Sequence, residues 1–546
     1  MTGSEPTASV VAESTANKAT PPVRLAKSAS IIGAATLTSR LLGLVRDQLL
    51  AYLFGAKDVM DAFNVAVRIP NLMRDLFAEG VMSAAFVPTF MNRLTTRSKQ
   101  AAWHLGTQLL NALILSTGTI VAIGIFFAEP LTGLIAGGFT SVPQKFELTV
   151  QLTRLTLPFL TFVAVAAAVM GMLNSLNRFF IPALSPAMYN VGIIIGCVLL
   201  VPLMPTLGLD PIFAVAFGAL LGAMGQVLLQ LPALYREGYR HHLNLNPSDP
   251  GLRKILRLMG PGTFAGAGVQ INLLVNMILA TAQGSGAVSW LGYAFRIMYL
   301  PIGLFGVSIA TATLPIISRH AARREFESIS DVVSQALRLM LMVNLPATFG
   351  LIALAEPIVS LIFERGNFTA ADSSATAAAL LFYAPGLVGY SAVRIAVPCF
   401  YALGNSLVPA YISMGAVILN VSLNIFLVEL MGYRGLALGT SVTALVNAVT
   451  LLAFLRYRLN GLDLRRVLLV FTKISAASTV MAISAWSTNE LLANHWPGLT
   501  LSVEILRLAI SIIFGITVLI IVSRLLRIEE LDKAWHQLLT RIRRRD

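Results

Sequence analysis

The chain alternates long apolar stretches with short polar connections, and no stretch alternates apolar and polar residues with period two as a membrane barrel strand would. Taking about 20 apolar residues as the length of a helix that crosses a bilayer, the pattern predicts about fourteen such helices. They lie near 29–54, 58–92, 103–128, 147–173, 180–205, 211–236, 253–281, 288–318, 328–355, 372–400, 406–430, 434–456, 467–487 and 500–526. The first is apolar over most of its surface, yet Thr36, Ser39, Arg40, Gly43, Arg46 and Asp47 fall at i, i+3, i+4, i+7, i+10 and i+11, on one helical face. Leu37, Leu41, Leu44 and Val45 can face lipid, so the polar stripe has to face protein or a wet cavity. The second segment carries a matching stripe, Asp61, Asn64, Arg68, Asn71, Asp75 and Glu79, with Arg74 at its edge and Pro70 placed to bend the helix. Ionisable groups at membrane depth mark a substrate pathway.

Laying the two halves over each other reveals a repeat. Ala128-Glu129-Pro130 recurs as Ala355-Glu356-Pro357, an offset of 227 residues that also carries Gly33 to Gly260, Pro88 to Pro315, Pro158 to Pro385, Pro182-Ala183 to Pro409-Ala410 and Gly208-Leu209 to Gly435-Leu436. A six-helix unit is therefore duplicated in the same orientation, because six is even, and the last two segments lie outside it. Parallel repeats of this kind are a transporter architecture with the substrate path between the lobes. The expected organisation is an N-terminal tail over 1–27, a six-helix lobe over 28–237, a basic loop over 238–252, a second six-helix lobe over 253–458, two further helices within 459–526 and a basic tail over 527–546. Gly260-Pro261-Gly262 reads as a hinge.

Composition agrees: of 546 residues, 56% are hydrophobic and only 12% charged, too apolar for a soluble domain. The first 27 residues lack a continuous apolar core and do not read as a cleavable signal peptide. A net charge of +14 would suggest nucleic acid in a soluble protein. Here the basic clusters, at Arg93, Arg97 and Lys99, from Arg236 to Arg257, at Arg319, Arg323 and Arg324, at Arg456, Arg458, Arg465 and Arg466, and from Arg541 to Arg545, all follow even-numbered segments. The positive-inside rule then places both termini in the cytoplasm. The charge calls for anionic lipid rather than nucleic acid. Cys197 and Cys399 lie in apolar runs and read as small buried hydrophobes.

The charged stripes carry the candidate chemistry. In the second lobe the eighth segment keeps Arg296, between Tyr293 and Tyr299, and has no acidic residue from Ser289 to Ser318. Leaving Arg40, Arg46, Arg68, Arg74 and Arg296 against lipid at mid-depth would cost about 2.5–3.5 kcal/mol each. They must be hydrated, paired or near helix ends. A cavity lined by guanidinium groups suits an anion, and the planar fork of arginine suits phosphate or pyrophosphate oxygens. Nearby carboxylates would hold the arginines when the cavity is empty and exchange partners when cargo enters. Arg154, Arg338 and Arg394 match no stripe and read as pairing or interfacial residues. A membrane enzyme acting on polyprenyl phosphates would need a metal-binding carboxylate cluster or a histidine at the membrane face. The six histidines fall in loops, helix ends or the tail without metal-ligand spacing, and no Gly-rich phosphate loop is present.

The stretch Ser39-Arg40-Leu41-Leu42-Gly43-Leu44-Val45-Arg46-Asp47, with Asp61-Ala62-Phe63, Pro70-Asn71-Leu72-Met73-Arg74, Phe77-Ala78-Glu79-Gly80 and Ala85-Phe86-Val87-Pro88, resembles the MurJ (MviN) family of bacterial lipid II flippases. The resemblance covers about residues 28–526. It implies an all-α, two-lobed transporter of the multidrug/oligosaccharidyl-lipid/polysaccharide exporter superfamily, which moves lipid-linked peptidoglycan precursor to the outer leaflet by alternating access. The family's functional positions match Ser39, Arg40, Arg46, Asp61, Arg74 and Arg296. Arg46 and Arg296 are then the pyrophosphate clamps, Arg40 and Arg74 supporting charge, and Ser39 a hydrogen-bond donor to the headgroup. Asp61, Asp47, Glu79 and Arg68 are the ion-pair and gating residues. The last two helices would form a groove for the polyprenyl tail.

Some members of this family carry a sodium site in the C-terminal lobe. Here the candidate positions Gln270, Asn272, Asn276, Asn420 and Asn424 are all neutral, whereas a hard cation normally takes at least one carboxylate. Interhelical hydrogen bonding is the expected role of these amides, with no cofactor and with membrane potential rather than sodium as the drive. The expected partners are lipid II, membrane lipids and proteins of cell-wall synthesis, acting with a monomer. The rivals are an exporter of another polyprenyl-pyrophosphate oligosaccharide, a drug or cation antiporter of the same superfamily, and the membrane enzyme.

Overall fold

The structure, a computed structural model, describes residues 22–77, 81–244, 246–497 and 500–528, and no strand occurs among them. Several predicted segments are single helices, among them Lys99–Phe126, Ile212–Arg236, Phe326–Ala353, Leu407–Met431, Tyr433–Arg458, Leu464–His495 and Leu501–Leu525. Among the described residues eight helices are long and apolar enough to cross a membrane, and one pair bent by 45°, Ala370–Tyr383 with Gly386–Ala402, makes up to a ninth.

The remaining segments are interrupted at identifiable places. Proline lacks the N–H that continues the helical ladder, and Pro158 and Pro385, equivalent in the repeat, sit at the joints of Pro143–Thr156 with Phe159–Ser175 and of the bent pair. A π-helical turn, Ile302–Gly306, interrupts the eighth segment between Ala287–Pro301 and Val307–Ala322, and another, Gly196–Leu200, follows Ala187–Ile195. The duplicated Ala-Glu-Pro motif opens a short helix in each lobe, Ala128–Ile135 and Ala355–Phe363. Its proline lies in the first turn, where the missing N–H would have had no partner, and its glutamate faces the positive helix end. Helix Pro250–Thr281 runs unbroken through Gly260-Pro261-Gly262.

Each lobe has its own apolar core. One cluster in the first lobe is built on Phe86, Phe90, Leu105, Leu109 and Met172, another on Leu50, Met60, Phe63 and Ala216. The second lobe is centred on Val333, Leu337, Ile395, Phe400 and Leu451. A further cluster joins the lobes, bringing Ile69 and Phe139 together with Val288, Tyr293 and Phe363. Small residues let helices touch backbone to backbone where lipid offers no hydrophobic drive. Gly192 lies against Gly218 and Gly222, and Gly389 against Ala444.

The connection between the lobes, expected as a simple basic loop, is clamped to the first lobe. Asn111 Nδ2 donates to the carbonyls of His242 and Asn244 at 2.9 and 2.7 Å. Asp249 caps helix Pro250–Thr281 through the amides of Gly251 and Leu252, and accepts from Arg93 Nη2 at 2.6 Å. Burial pushes the Asp249 carboxyl up, but the Arg93 hydrogen bond and these amides outweigh it and hold the group below the usual carboxylate range. The clamp is therefore intact across neutral pH and is lost only as acid takes the pH down through that depressed value.

Candidate functional site

A cavity of about 420 Å³ lies between the lobes, and both carry arginine to its wall. Arg46 and Arg68 line it from the first lobe and Arg296 from the second, with Asn64, Asn71, Tyr189, Asn272, Asn276, Tyr383 and Tyr390 among the other lining residues. From the two stripes, Arg46 of the first helix and Asn64, Arg68 and Asn71 of the second reach the cavity wall.

The two lobes meet on one carboxylate oxygen. Asp47 Oδ1 accepts from Arg46 Nε at 3.0 Å and Nη2 at 2.7 Å, and from Arg296 Nη1 at 2.8 Å. Arg46 reaches in the other direction to Asn190 Oδ1 at 2.8 Å, and Asn190 Nδ2 donates to the Ser39 carbonyl at 2.9 Å. Each guanidinium also lies over a ring, Arg46 over Tyr189 and Arg296 over Tyr293, both at 5.6 Å. Planar cations held by an edge carboxylate and an aromatic face are oriented yet partly open to the cavity. Arg296 has 39% of its side chain exposed and Arg46 15%. Asn190 was not anticipated; its only signal is a lone amide in an apolar helix.

Arg68 departs from expectation. Placed among the ion pairs, it lines the cavity, but its buried Nη2 has no hydrogen-bond partner among the described residues. The carboxylate two turns on, Asp75, is occupied by Arg74, which donates to Asp75 Oδ1 through Nε at 3.1 Å and Nη2 at 2.7 Å. Arg74 is not on the cavity wall. Ser39 takes part through its main-chain carbonyl. Glu79 lies outside the described residues.

Arg40 packs its guanidinium over Gly303, in the π-helical turn of the opposite lobe, where a Cβ would overlap it. The flexible end of an arginine can yield, so Gly303→Ala should insert normally while displacing Arg40. Transport by that variant should fall several-fold at unchanged membrane abundance, measured by immunoblot beside a flipping assay.

At one end the cavity is shut by contacts between the lobes. Asp61, fully buried, takes the place of a cap at the start of helix Ala287–Pro301, whose own N-cap, Gly286, has no side chain to do so. Its Oδ2 accepts from the Gly286 amide at 2.8 Å, and its Oδ1 from the Ser289 amide at 2.9 Å and Ser289 Oγ at 2.7 Å. A carboxylate on free N–H groups at a helix N-terminus is favoured by both hydrogen bonding and the helix dipole. Around it Gly138 packs on the backbone of Thr281 and Ala282, and Asn367 bonds the carbonyls of Tyr52 and Leu53 through its amide at 2.9 Å and Nδ2 at 2.6 Å.

The neutral residues of the second lobe form an amide chain. Asn424 Nδ2 donates to Asn276 Oδ1 at 2.6 Å and Asn420 Oδ1 at 2.9 Å, and Asn420 Nδ2 to Thr443 Oγ1 at 3.3 Å. The Asn276 and Asn420 oxygens are thus taken by N–H donors and the set holds no carboxylate, while Gln270 Oε1, Asn272 Oδ1 and Asn424 Oδ1 are buried with no hydrogen-bond partner among the described residues. Among the described residues no group of three or more His, Cys, Asp or Glu could hold a metal. Arg394 donates to the Tyr299 hydroxyl, the pairing role expected of it.

A family model described as "Lipid II flippase MurJ" matches residues 50–519. The chain belongs to the MurJ family. A "Probable lipid II flippase MurJ" of Rickettsia prowazekii is 31% identical over 511 residues, covering 93% of this chain and 99% of the relative. The "Lipid II flippase MurJ" of Burkholderia cenocepacia is 34% identical over 427 residues, 78% of this chain and 82% of the relative. Among solved structures, the inward closed conformation of lipid II flippase MurJ superposes with a TM-score of 0.75 at 27% identity, over 90% of this chain and 98% of that one. An inward-facing multidrug resistance MATE family transporter of the MOP superfamily shares the fold, with a TM-score of 0.64 at 17% identity over 79% of this chain and 98% of that one.

Within this MurJ-family chain the site residues are long-range neighbours. Arg46 and Arg296 are separated by about half the chain, yet share an acceptor. Asp47 was expected as a gating carboxylate, and the structure makes it the point where the two arginines meet.

Proposed function

We propose that the chain is a transporter, not an enzyme, which moves lipid II from the inner to the outer leaflet of the bacterial cytoplasmic membrane by alternating access. The observation that carries this is the convergence of Arg46 and Arg296, from opposite lobes, on one carboxylate beside a shared cavity. Both can turn their forks to a pyrophosphate, and Asp47 is the acceptor they hold while the site is empty. Arg40 and Arg74 add positive field, and Arg68 brings a further guanidinium to the wall. The last two helices, Leu464–His495 and Leu501–Leu525, offer the polyprenyl tail a surface within the membrane.

Both termini and the basic clusters lie on the cytoplasmic side. The end closed by Asp61 is then the extracytoplasmic gate, so this state receives cargo from within. Carrying an anionic headgroup outward across a potential negative inside is favourable by about 2.3 kcal/mol per charge per 100 mV. Transport should therefore persist when sodium is replaced by potassium and collapse when the potential is dissipated. Sodium dependence measured in proteoliposomes would contradict the neutral amide chain. We take the working unit to be a monomer, since one chain supplies both clamps.

Depletion of the protein, with lipid II measured separately in each leaflet, tests the reading. Lipid II should accumulate in the inner leaflet and vanish from the outer. Accumulation of a different polyprenyl-linked sugar would assign the chain to the oligosaccharide exporters instead.

A further inference from the structure

Behind the gate lies a buried ammonium that neither the sequence stripes nor the cavity accounts for. Lys145, on helix Pro143–Thr156, is 5% exposed. Its Nζ donates to Asp61 Oδ2 at 2.9 Å and to Asp58 Oδ1 at 2.7 Å, and lies 4.0 Å from the centre of the Phe139 ring. Asp58 is half-exposed at the helix start, so the three charges run from solvent to a fully buried carboxylate.

The four donors on Asp61 divide by lobe. The Gly286 amide, the Ser289 amide and Ser289 Oγ belong to the second lobe, and Lys145 Nζ belongs to the first. Helices Asp58–Phe77 and Pro143–Thr156 pack along one another, so Lys145 travels with Asp61 while the other three must part from it whenever this end opens. Those three are neutral, and Lys145 supplies the compensating charge. A carboxylate buried without a counter-ion is strongly unfavourable, whereas one exposed to water is not.

We infer that Lys145 is the positioning residue of the gate: its charge lets Asp61 be buried as an anion against the second-lobe helix start, and so holds this end shut between transport strokes. This rests on the alternating-access reading. Removing the charge burdens only the closed state, because water replaces it once the gate is open. The gate then stands open more of the time.

The test is an accessibility measurement on the full-length protein in intact cells, and it requires no cargo. A reporter, Val67→Cys, is placed on the cavity wall in a background with Cys197→Ala and Cys399→Ala, and labelled from outside with a membrane-impermeant maleimide. Lys145→Met should raise the labelling rate roughly tenfold or more. Lys145→Arg should label as slowly as the parent. Adding Asp61→Asn to Lys145→Met removes the stranded charge and should slow labelling again, a rescue that a mere packing role would not produce. Labelling of Lys145→Met at the parental rate, or of Lys145→Arg as fast as Lys145→Met, would overturn the assignment. Should Lys145→Met fail to accumulate in the membrane, the double variant decides: accumulation with slow labelling supports the charge role, and failure to accumulate refutes it. A transport assay that found a cargo other than lipid II would leave these rates unaffected, so the two readings fail separately.

Discussion

Arg46→Ala and Arg296→Ala should each abolish lipid II flipping while leaving the protein in the membrane at normal abundance. Either substitution removes at least two charge-assisted hydrogen bonds to the cargo phosphates, each worth about 1.5–3 kcal/mol, so transport should fall roughly hundredfold or more. The fold survives because Asp47 keeps one partner in either variant: without Arg46 it retains Arg296 Nη1, and without Arg296 it retains Arg46 Nε and Nη2. Lysine at either position keeps the charge and loses the fork, so Arg→Lys should fall between alanine and the parent. Outer-leaflet lipid II in cells that depend on each variant, set against an immunoblot of membranes, reads both parts. Full activity of both alanine variants would refute the clamp.

The second large effect is expected at Asp47, and it splits binding from turnover. Its Oδ1 occupies N–H donors of both arginines, the same donors that a phosphate oxygen would take. If the two arginines clamp the cargo as proposed, cargo would displace this carboxylate on loading and its return would help to expel cargo on release. Asp47→Asn keeps the shape and an acceptor oxygen but gives up the charge. It should bind lipid II about tenfold tighter, a difference near 1.4 kcal/mol, yet flip it more slowly because release loses its competitor. Tighter binding with slower flipping distinguishes this from simple misfolding, which would weaken both. Asp47→Asn with weaker binding would mean that the carboxylate orients the arginines more than it competes for them.

How much of the site is legible in the sequence depends on whether the information is local. Helical stripes stand out against an apolar background because a helix facing lipid all round has no place for polar residues at 3.6-residue spacing. That placed Arg46 and Arg68 on the cavity wall, with Arg296 reached from the eighth segment. The repeat fixed the two-lobed architecture, and its prolines marked the joints at Pro158 and Pro385. Pairing was not legible, since it is set by which helices meet. Arg68 and Asp75 share a face at i and i+7, but Arg74 beside Asp75 reaches it first. Asp61 looked like the partner of an arginine, whereas its donors are a lysine and the start of a helix 225 or more residues away. Lys145 itself sits in the amphipathic opening turn of a helix, where a lone lysine reads as solvated. The repeat carries it onto Asp372, which accepts from Trp290 Nε1 at 3.0 Å, so the same place in each lobe holds a charged side chain of opposite sign.

Binding of lipid II to purified protein in lipid nanodiscs, titrated for the parent, Arg46→Ala and Arg296→Ala, measures the grip itself without transport. Each substitution should weaken binding at least about tenfold, and inorganic pyrophosphate should compete with lipid II on the parent protein alone. Equal affinity of all three proteins, with no competition by pyrophosphate, would contradict a phosphate clamp shared between the lobes.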